Sequence, residues 1–518
     1  MRPGVERYGS GNAFGSKPLP VPGPENEVTM TVRSFSASRV LPTQPYNSLQ
    51  EYINTGGGDG LRDTRAVAAS VIIEELEASG LRGRGGAGFP TGTKWRTVAA
   101  FESNILSTTV VVNAAEGEPG TFKDRSILRT NPYAVIEGAL IAAQVVGARQ
   151  IIIATKTRFS DIVTRLRGAI AEVEAAGWHE DVSITIFEGP AEYLYGEETA
   201  LIEALDGRAP LPRIAPPWRR GIVEIVEHDS DVTSGSGLSA DVEMATASSD
   251  NAVPPVLVDN VETLANVPAI IAKGAVWFRE VGTQESAGTI VCTITGAVQW
   301  PGVVEVPMGT SLRTVLDEVS GGPHPGRTIA CVLMGVSNAV LTPDELDLPI
   351  TYEAMRERGS GLGSASFIVI DDSTHPVALA AGASRFLAVE SCGQCTPCKT
   401  DGLQISHLLT KIASGDGTVQ DKALIDKRLG TISDGARCSL ATQHQVVIGS
   451  ILDAFADDVT AQLGTERSVG HYLIAELNSI DNDTVTIDDT FVDKQPDWTY
   501  GTTDSGQVPA ERLGEHRR

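Results

Sequence analysis

No run of about 18 apolar residues occurs in the chain, so the sequence offers no membrane-spanning helix. The N-terminus lacks the continuous apolar core of a secretory signal, so no export is expected and the expected location is the cytoplasm. Positive charge is scarce: 41 Lys and Arg face 66 Asp and Glu, a formal net charge of −25. Such a chain repels nucleic acid and anionic lipid surfaces. Cysteine is scarce too, with six in 518 residues. Without export there is little case for structural disulfides, so clustered thiols point to a metal site. The glycine-rich stretch from Gly80 to Trp95 is not read as the usual Rossmann fingerprint. There is no internal repeat.

What is present is the composition of a globular protein, 41% hydrophobic and 21% charged. Residues 1–45 are rich in Gly, Pro and Ser and are expected to form a flexible leader or a docking arm, with Met30 a candidate alternative start. Residues 46–285 alternate β-branched runs with helical patterns. "TTVVVNAAEGEPG" reads as a buried strand ending in a polar turn, "NPYAVIEGALIAAQVVGA" as a helix with Pro132 in its first turn, and "RQIIIATKT" as the next strand. This rhythm predicts an α/β fold with a mostly parallel sheet covered on both faces. Residues 286–372 read as a hairpin, a short helix and further strands, hence a small α+β domain. Helical patterns dominate 376–463, and 464–518 form an acidic tail expected to be partly ordered against the body.

The thiols carry the strongest signal. Cys392, Cys395 and Cys398 form a C-x2-C-x2-C run, and Cys438 follows in "DGARCSLAT". Iron–sulfur cubanes take four thiolates, and the first three at this spacing with Cys438 as the fourth match that demand. Structural zinc more often uses two separated pairs; zinc and free thiols are the alternatives. Cys292 and Cys331 lie in apolar strand-like runs and read as ordinary buried cysteines.

"GLRGRGGAGFPTGTKW" holds Gly83, Gly85, Gly86, Gly88 and Gly92, with Arg84 and Lys94 offering positive charge. Such a loop can bring backbone N–H groups to a phosphate; a purely structural turn is the bland alternative. Polar clusters stand where strands should end: Asn113, Glu116, Glu118, Lys123, Asp124 and Arg125; Tyr193, Gly196, Glu197, Glu198 and Thr199; Asp259, Asn260, Glu262 and Thr263. Solvated faces or helix N-terminal charge would explain any one of them. Together with the glycine loop, at the carboxyl ends of parallel strands, they favour a nucleotide or flavin pocket.

Taken in order, "SGLRGRGGAGFPTG", "EGEPGTFKDR", "GEETALIEALDG", "DNVETLANVP" and "ESCGQCTPC" with Cys438 resemble the flavin-bearing NADH-dehydrogenase subunit of respiratory complex I. Its relatives include the diaphorase subunits of NAD-linked hydrogenases and formate dehydrogenases. The resemblance covers about residues 48–460. It implies an FMN domain, a ubiquitin-like SLBB domain and a helical bundle with a [4Fe-4S] cluster. It implies that the loop from Gly83 with Lys94 surrounds nucleotide and flavin, that Asn113, Glu116, Gly196, Glu197, Glu198 and Asn260 hold FMN, and that Glu118 and Phe89 face NADH. The implied activity is NADH dehydrogenation, with electrons leaving to a separate iron–sulfur protein in a multi-subunit complex. Departures from the family pattern are Ala115 for an Asp, Asp259 for an Asn, Ala215 for a Lys and Thr97 for an aromatic. The last two leave open a second reading, an electron relay between a ferredoxin and a partner flavoprotein that does not use NADH.

Overall fold

The computed structural model describes residues 32–33, 35, 38–101, 107–179, 181–214, 255–481 and 483–496. From the N-terminus, a two-residue strand, β1 (Val32–Arg33), is followed by β2 (Thr108–Ala114), β3 (Ala148–Lys156), β4 (Ser183–Gly189) and β5 (Val256–Asn260). The last four make one sheet in the order β4-β3-β2-β5, every pair parallel. Val110, Val111 and Val112 of β2 are all fully buried. The pleat sends Val110 and Val112 into one core with helices Pro132–Val145, Ser160–Ala175 and Val261–Lys273. Val111 faces a second core with helix Glu198–Leu205. Both faces are thus covered, as the unbroken apolar runs require.

Local chemistry starts these elements. Helix Pro132–Val145 has Pro in its first turn, and its N-cap Asn131 accepts from the Ala134 N–H at 3.2 Å. It packs against helix Val261–Lys273 so closely at Gly138 that a Cβ there would lie 2.1 Å from the Leu264 carbonyl oxygen.

A second sheet combines β6 (Thr289–Gly296), β7 (Gly302–Pro307), β8 (Ile329–Leu333) and β9 (Ser366–Asp371) with β1, in the order β1-β7-β6-β9-β8. β6 and β7 form the expected antiparallel hairpin, and helix Leu312–Glu318 follows. Within the expected leader, β1 pairs with β7. The N–H groups of Arg39, Val40 and Leu41 all donate to the buried Glu305 carboxylate, at 2.8, 3.0 and 2.9 Å.

Helices Pro376–Val389, Thr396–Ala413, Val419–Leu429, Leu440–Ala454 and Ala456–Gln462 gather around a core that includes Ile405, Leu409, Val447 and Ile451. A C-terminal segment then runs back over the molecule and contains the hairpin β10 (Leu477–Asp481) and β11 (Thr484–Ile487). Among the described residues no helix is long and apolar enough to cross a membrane.

Candidate functional site

The carboxyl ends of β2 and β5, the glycine loop and the start of helix Glu198–Leu205 enclose a cavity of about 580 Å³. Drug- and cofactor-sized ligands occupy cavities of this order. Of the residues named from the sequence, Gly83, Gly85, Gly86, Phe89, Lys94, Asn113, Glu116, Glu118, Lys123, Asp124, Tyr193, Gly196, Glu197, Glu198, Asp259, Asn260 and Thr263 line it, whereas Arg84, Gly88, Gly92, Arg125, Thr199 and Glu262 do not. Arg84 is turned away. Its guanidinium donates to the Thr289 carbonyl at 2.9 Å and the Tyr352 hydroxyl at 3.1 Å, deep in the core. The sequence offered it as phosphate charge; instead its backbone N–H anchors the loop by donating to Thr263 Oγ1 at 2.8 Å.

The glycine loop closes on itself, with the Gly83 N–H donating to the Phe89 carbonyl at 2.8 Å. Gly86 and Gly88 have φ of +127° and +64°, conformations that a side chain resists. A Cβ on Gly196 would lie 2.9 Å from the Ala115 carbonyl oxygen, so only glycine lets these two stretches of the cavity wall meet.

Charge in the cavity is arranged in two groups. Lys94 Nζ donates to the Val258 carbonyl at 2.5 Å and pairs with Glu198 at 3.0 Å. Burial works against its charged form, but Glu198 and Asp259 outweigh that and hold the ammonium above the usual lysine value. Burial pushes the Asp259 carboxyl up to about 6, against the pull of Lys94 and the hydrogen bond from Trp95. The second group is Lys123, paired with Asp124 at 2.7 Å and Glu262 at 3.0 Å and donating to Asn260 Oδ1 at 3.0 Å. Glu116 is satisfied internally, by the Asp124 N–H at 2.9 Å and Arg125 Nε at 2.7 Å. Glu197 caps helix Glu198–Leu205 by accepting from the Thr199 and Ala200 N–H groups at 3.0 and 2.9 Å.

At another edge of the cavity, Glu118 accepts from the Tyr193 hydroxyl and from the Val336 N–H, the latter at 2.7 Å. Burial raises its carboxyl above the usual range, against those bonds. Ser337, Asn338, Gly363 and Ser364 also line the cavity, as do Ser439, Thr442 and Gln443. None stood out in the sequence: Ser337, Asn338, Gly363 and Ser364 come from segments with no chemical motif of their own, and Ser439, Thr442 and Gln443 sit beside Cys438, which drew the attention there. Thr97 is exposed, its hydroxyl donating to the Thr93 carbonyl at 2.9 Å, and it does not line the cavity. The expected loss of a stacking aromatic there leaves the described wall unchanged. Ala215 lies outside the described residues.

The four predicted thiols meet. Cys392, Cys395, Cys398 and Cys438 line a second, small cavity with Ser391, Arg437 and Leu440. Pro397 sits in the first turn of helix Thr396–Ala413, where its missing N–H costs nothing, and Cys395 is the residue before that helix. Three sulfurs are hydrogen-bonded: Cys392 accepts from Gln394 Nε2 at 3.4 Å, Cys395 accepts from the Arg437 N–H at 3.4 Å, and Cys398 Sγ shares a hydrogen bond with the Ser391 hydroxyl at 3.3 Å. Among the described residues no three His, Cys, Asp or Glu side chains converge on a point that would hold one ion. Four thiols at one cavity, three from a C-x2-C-x2-C run and one from a distant segment, supply the donor set of a [4Fe-4S] cluster, whereas structural zinc more often uses two separated pairs. Cys292 and Cys331 are buried in strands β6 and β8, apart from this group.

Leu194 lines both cavities, and Cys438 of the small one is followed directly by Ser439 of the large one. The two sites therefore share a wall.

Residues 76–269 match the Nuo51 FMN-binding domain, and residues 378–462 match the NADH-ubiquinone oxidoreductase-F iron-sulfur binding region. The F 2 subunit of NADH-quinone oxidoreductase from Rhizobium meliloti (strain 1021) is 35% identical over 412 residues, covering 77% of this chain and 90% of the relative. The HndC subunit of the NADP-reducing hydrogenase from Solidesulfovibrio fructosivorans is 32% identical over 439 residues, covering 83% and 84%. Among solved structures, NAD+-reducing [NiFe]-hydrogenase in the H2-reduced state superposes with a TM-score of 0.67 at 29% identity, covering 81% of this chain and 67% of that one. A parallel sheet whose strand ends open into one cavity, and four thiols around another, are thus joined to extensive likeness in sequence: the chain belongs to the family of NADH-quinone oxidoreductase F subunits, with an FMN-binding domain and a [4Fe-4S]-binding region.

Proposed function

We propose that this chain is the NADH-oxidising component of a multi-subunit oxidoreductase and that it hands electrons to a separate iron–sulfur protein. When bound, FMN supplies the conversion of a two-electron hydride into single electrons, which the [4Fe-4S] cluster receives. The observation that carries the reading is the shared wall: Leu194 borders both cavities, so a flavin held in one would neighbour a cluster held in the other.

In this reading the chain's own groups bind, orient and insulate. The glycine loop lets backbone approach the phosphate, and Lys94 supplies the positive charge beside it. Asn113 Nδ2 is held by the Gly196 carbonyl at 2.9 Å, and Asn260 Nδ2 by Asp124 at 2.7 Å, so both amides are oriented before any ligand arrives. Glu118, fixed by Tyr193 and Val336, would meet the dinucleotide together with Phe89, which is 54% exposed at the cavity. The four cysteines would hold the cluster, with Ser391, Gln394 and the Arg437 N–H tuning it through the sulfurs. The reading also assigns residues 286–372 to a ubiquitin-like SLBB domain and 376–463 to a helical cluster-binding bundle. The mixed sheet around β6–β9 and the five helices support these assignments.

An electron relay that ignores NADH drew on Thr97 and Ala215. Thr97 stands outside the cavity, and Ala215 outside the described residues, so no observation favours it. The deciding experiment is anaerobic. The protein with flavin and cluster intact is mixed with NADH and the flavin absorbance followed. Fast bleaching with NADH and none with NADPH is expected. Reduction by dithionite or a reduced ferredoxin without bleaching by NADH would overturn the reading.

A further inference from the structure

Ala191–Tyr193 leads into both cavities, since Tyr193 lines the large one and Leu194 lines the two. Two of its backbone groups are gripped from outside, each through an ion pair. The Ala191 carbonyl accepts from Lys156 Nζ at 3.1 Å, and Lys156 is paired with Glu476 at 2.8 Å. The Tyr193 N–H donates to Glu390 at 3.0 Å, and the other oxygen of Glu390 is paired with Lys494. Lys156 and Glu476 expose 0% and 8% of their side chains, so that pair is shielded from water; in the second, Glu390 is 6% exposed and Lys494 33%, so its carboxylate end is the buried one. Glu476 and Lys494, the far ends of both pairs, lie on the same C-terminal segment.

A third link is aromatic. Phe491 of that segment stacks on Phe386 at 5.0 Å, and Phe386 meets the Tyr193 ring edge-on at 5.4 Å. The segment also lies hard against helix Pro376–Val389: a Cβ on Gly382 would fall 2.0 Å from the Tyr472 carbonyl oxygen. Arg125 fastens its beginning by donating to the Leu477 carbonyl at 2.6 Å.

We propose that residues 472–494 form a positioning strap, in which Glu476 and Lys494 fix Ala191–Tyr193 and thereby hold the Tyr193 hydroxyl against Glu118. The physical reason is the cost of opening either pair. Removing one partner leaves a buried charge uncompensated, and the surviving charge moves toward water, taking its backbone partner with it. Lys494 touches neither cavity, so it is a positioning residue. Its consequence for NADH rests on the function proposed above; its grip on the backbone does not.

The test uses the full chain with flavin and cluster loaded, as wild type, Lys494→Met, Lys494→Arg and Phe491→Leu. Amide hydrogen exchange is read by mass spectrometry on peptides covering 191–196, beside KM and kcat for NADH. In Lys494→Met we expect exchange there to quicken by about tenfold with distant helices unchanged, as local opening predicts. KM should rise about fivefold with kcat within about twofold, the pattern of lost ground-state positioning. Lys494→Arg should restore both, and Phe491→Leu should quicken the same peptides less. Unchanged exchange at 191–196 in both Lys494→Met and Phe491→Leu would overturn the strap. So would quickening across the whole molecule, which would assign Lys494 to general stability. If NADH fails to bleach the wild-type flavin, the proposed function falls while the exchange data still decide the strap.

Discussion

Lys94 holds three partners at once, Glu198, Asp259 and the Val258 carbonyl, and still borders the cavity. Truncating it removes the positive charge that a flavin phosphate would meet. Lys94→Ala should weaken FMN by about 2 kcal/mol, about thirtyfold, as judged by flavin retained through dialysis. Its neighbour Asp259 offers a separate check. A carboxyl raised to about 6 in the folded state costs stability when it ionises. The favourable contribution is complete below the unfolded value near 3.9 and is lost as pH rises through about 6. Asp259→Asn should therefore gain stability relative to wild type between about pH 4 and 7, measured by urea unfolding of flavin-free protein. Placement was legible in the sequence where type and spacing sufficed: Cys392, Cys395 and Cys398 share one cavity and Lys94 lines the other. The sequence misled at Arg84, because a guanidinium within a glycine loop can turn either way and the carbonyls of Ala287 and Thr289 drew it inward.

Elements set what each residue can reach. The C-x2-C-x2-C run works because its third cysteine lies within helix Thr396–Ala413 while the first two precede it, and Cys438 is brought back just before helix Leu440–Ala454. Cys438→Ser should abolish the broad cluster absorbance yet leave FMN bound, since Lys94, the glycine loop and Asn260 lie on other elements. An unchanged cluster spectrum would mean that the fourth ligand lies elsewhere. The parallel sheet was legible from its β-branched runs, and so was the position of the cavity at the strand ends. The far wall was not. Ser337, Asn338 and Gly363 stand in loops around β8 and β9, and only packing of the second sheet against the first brings them to the cavity. The shared position of Leu194 was equally hidden, for an apolar residue between two polar ones carries no signature.

At the scale of the molecule, the charge of −25 shapes encounters. With NADH as donor, reduction of a basic acceptor protein should slow steeply as ionic strength rises to about 0.15 M, where the Debye length is about 8 Å. A small neutral oxidant should show little change; equal salt dependence for both would mean that the surface does not steer. The bonds that complete the architecture also span great lengths of chain. Arg125 reaches Leu477 across 352 positions, and the N–H groups of Arg39 to Leu41 reach Glu305 across 264 to 266. Closures of such separation come late and slowly in folding, because the entropy of the intervening loop must be lost before the contact forms. The wall between the two cavities likewise joins stretches far apart in the chain, Leu194 with Cys438 and Ser439, and is a late-forming feature: a chain renatured from urea should regain its helices well before it can retain a flavin.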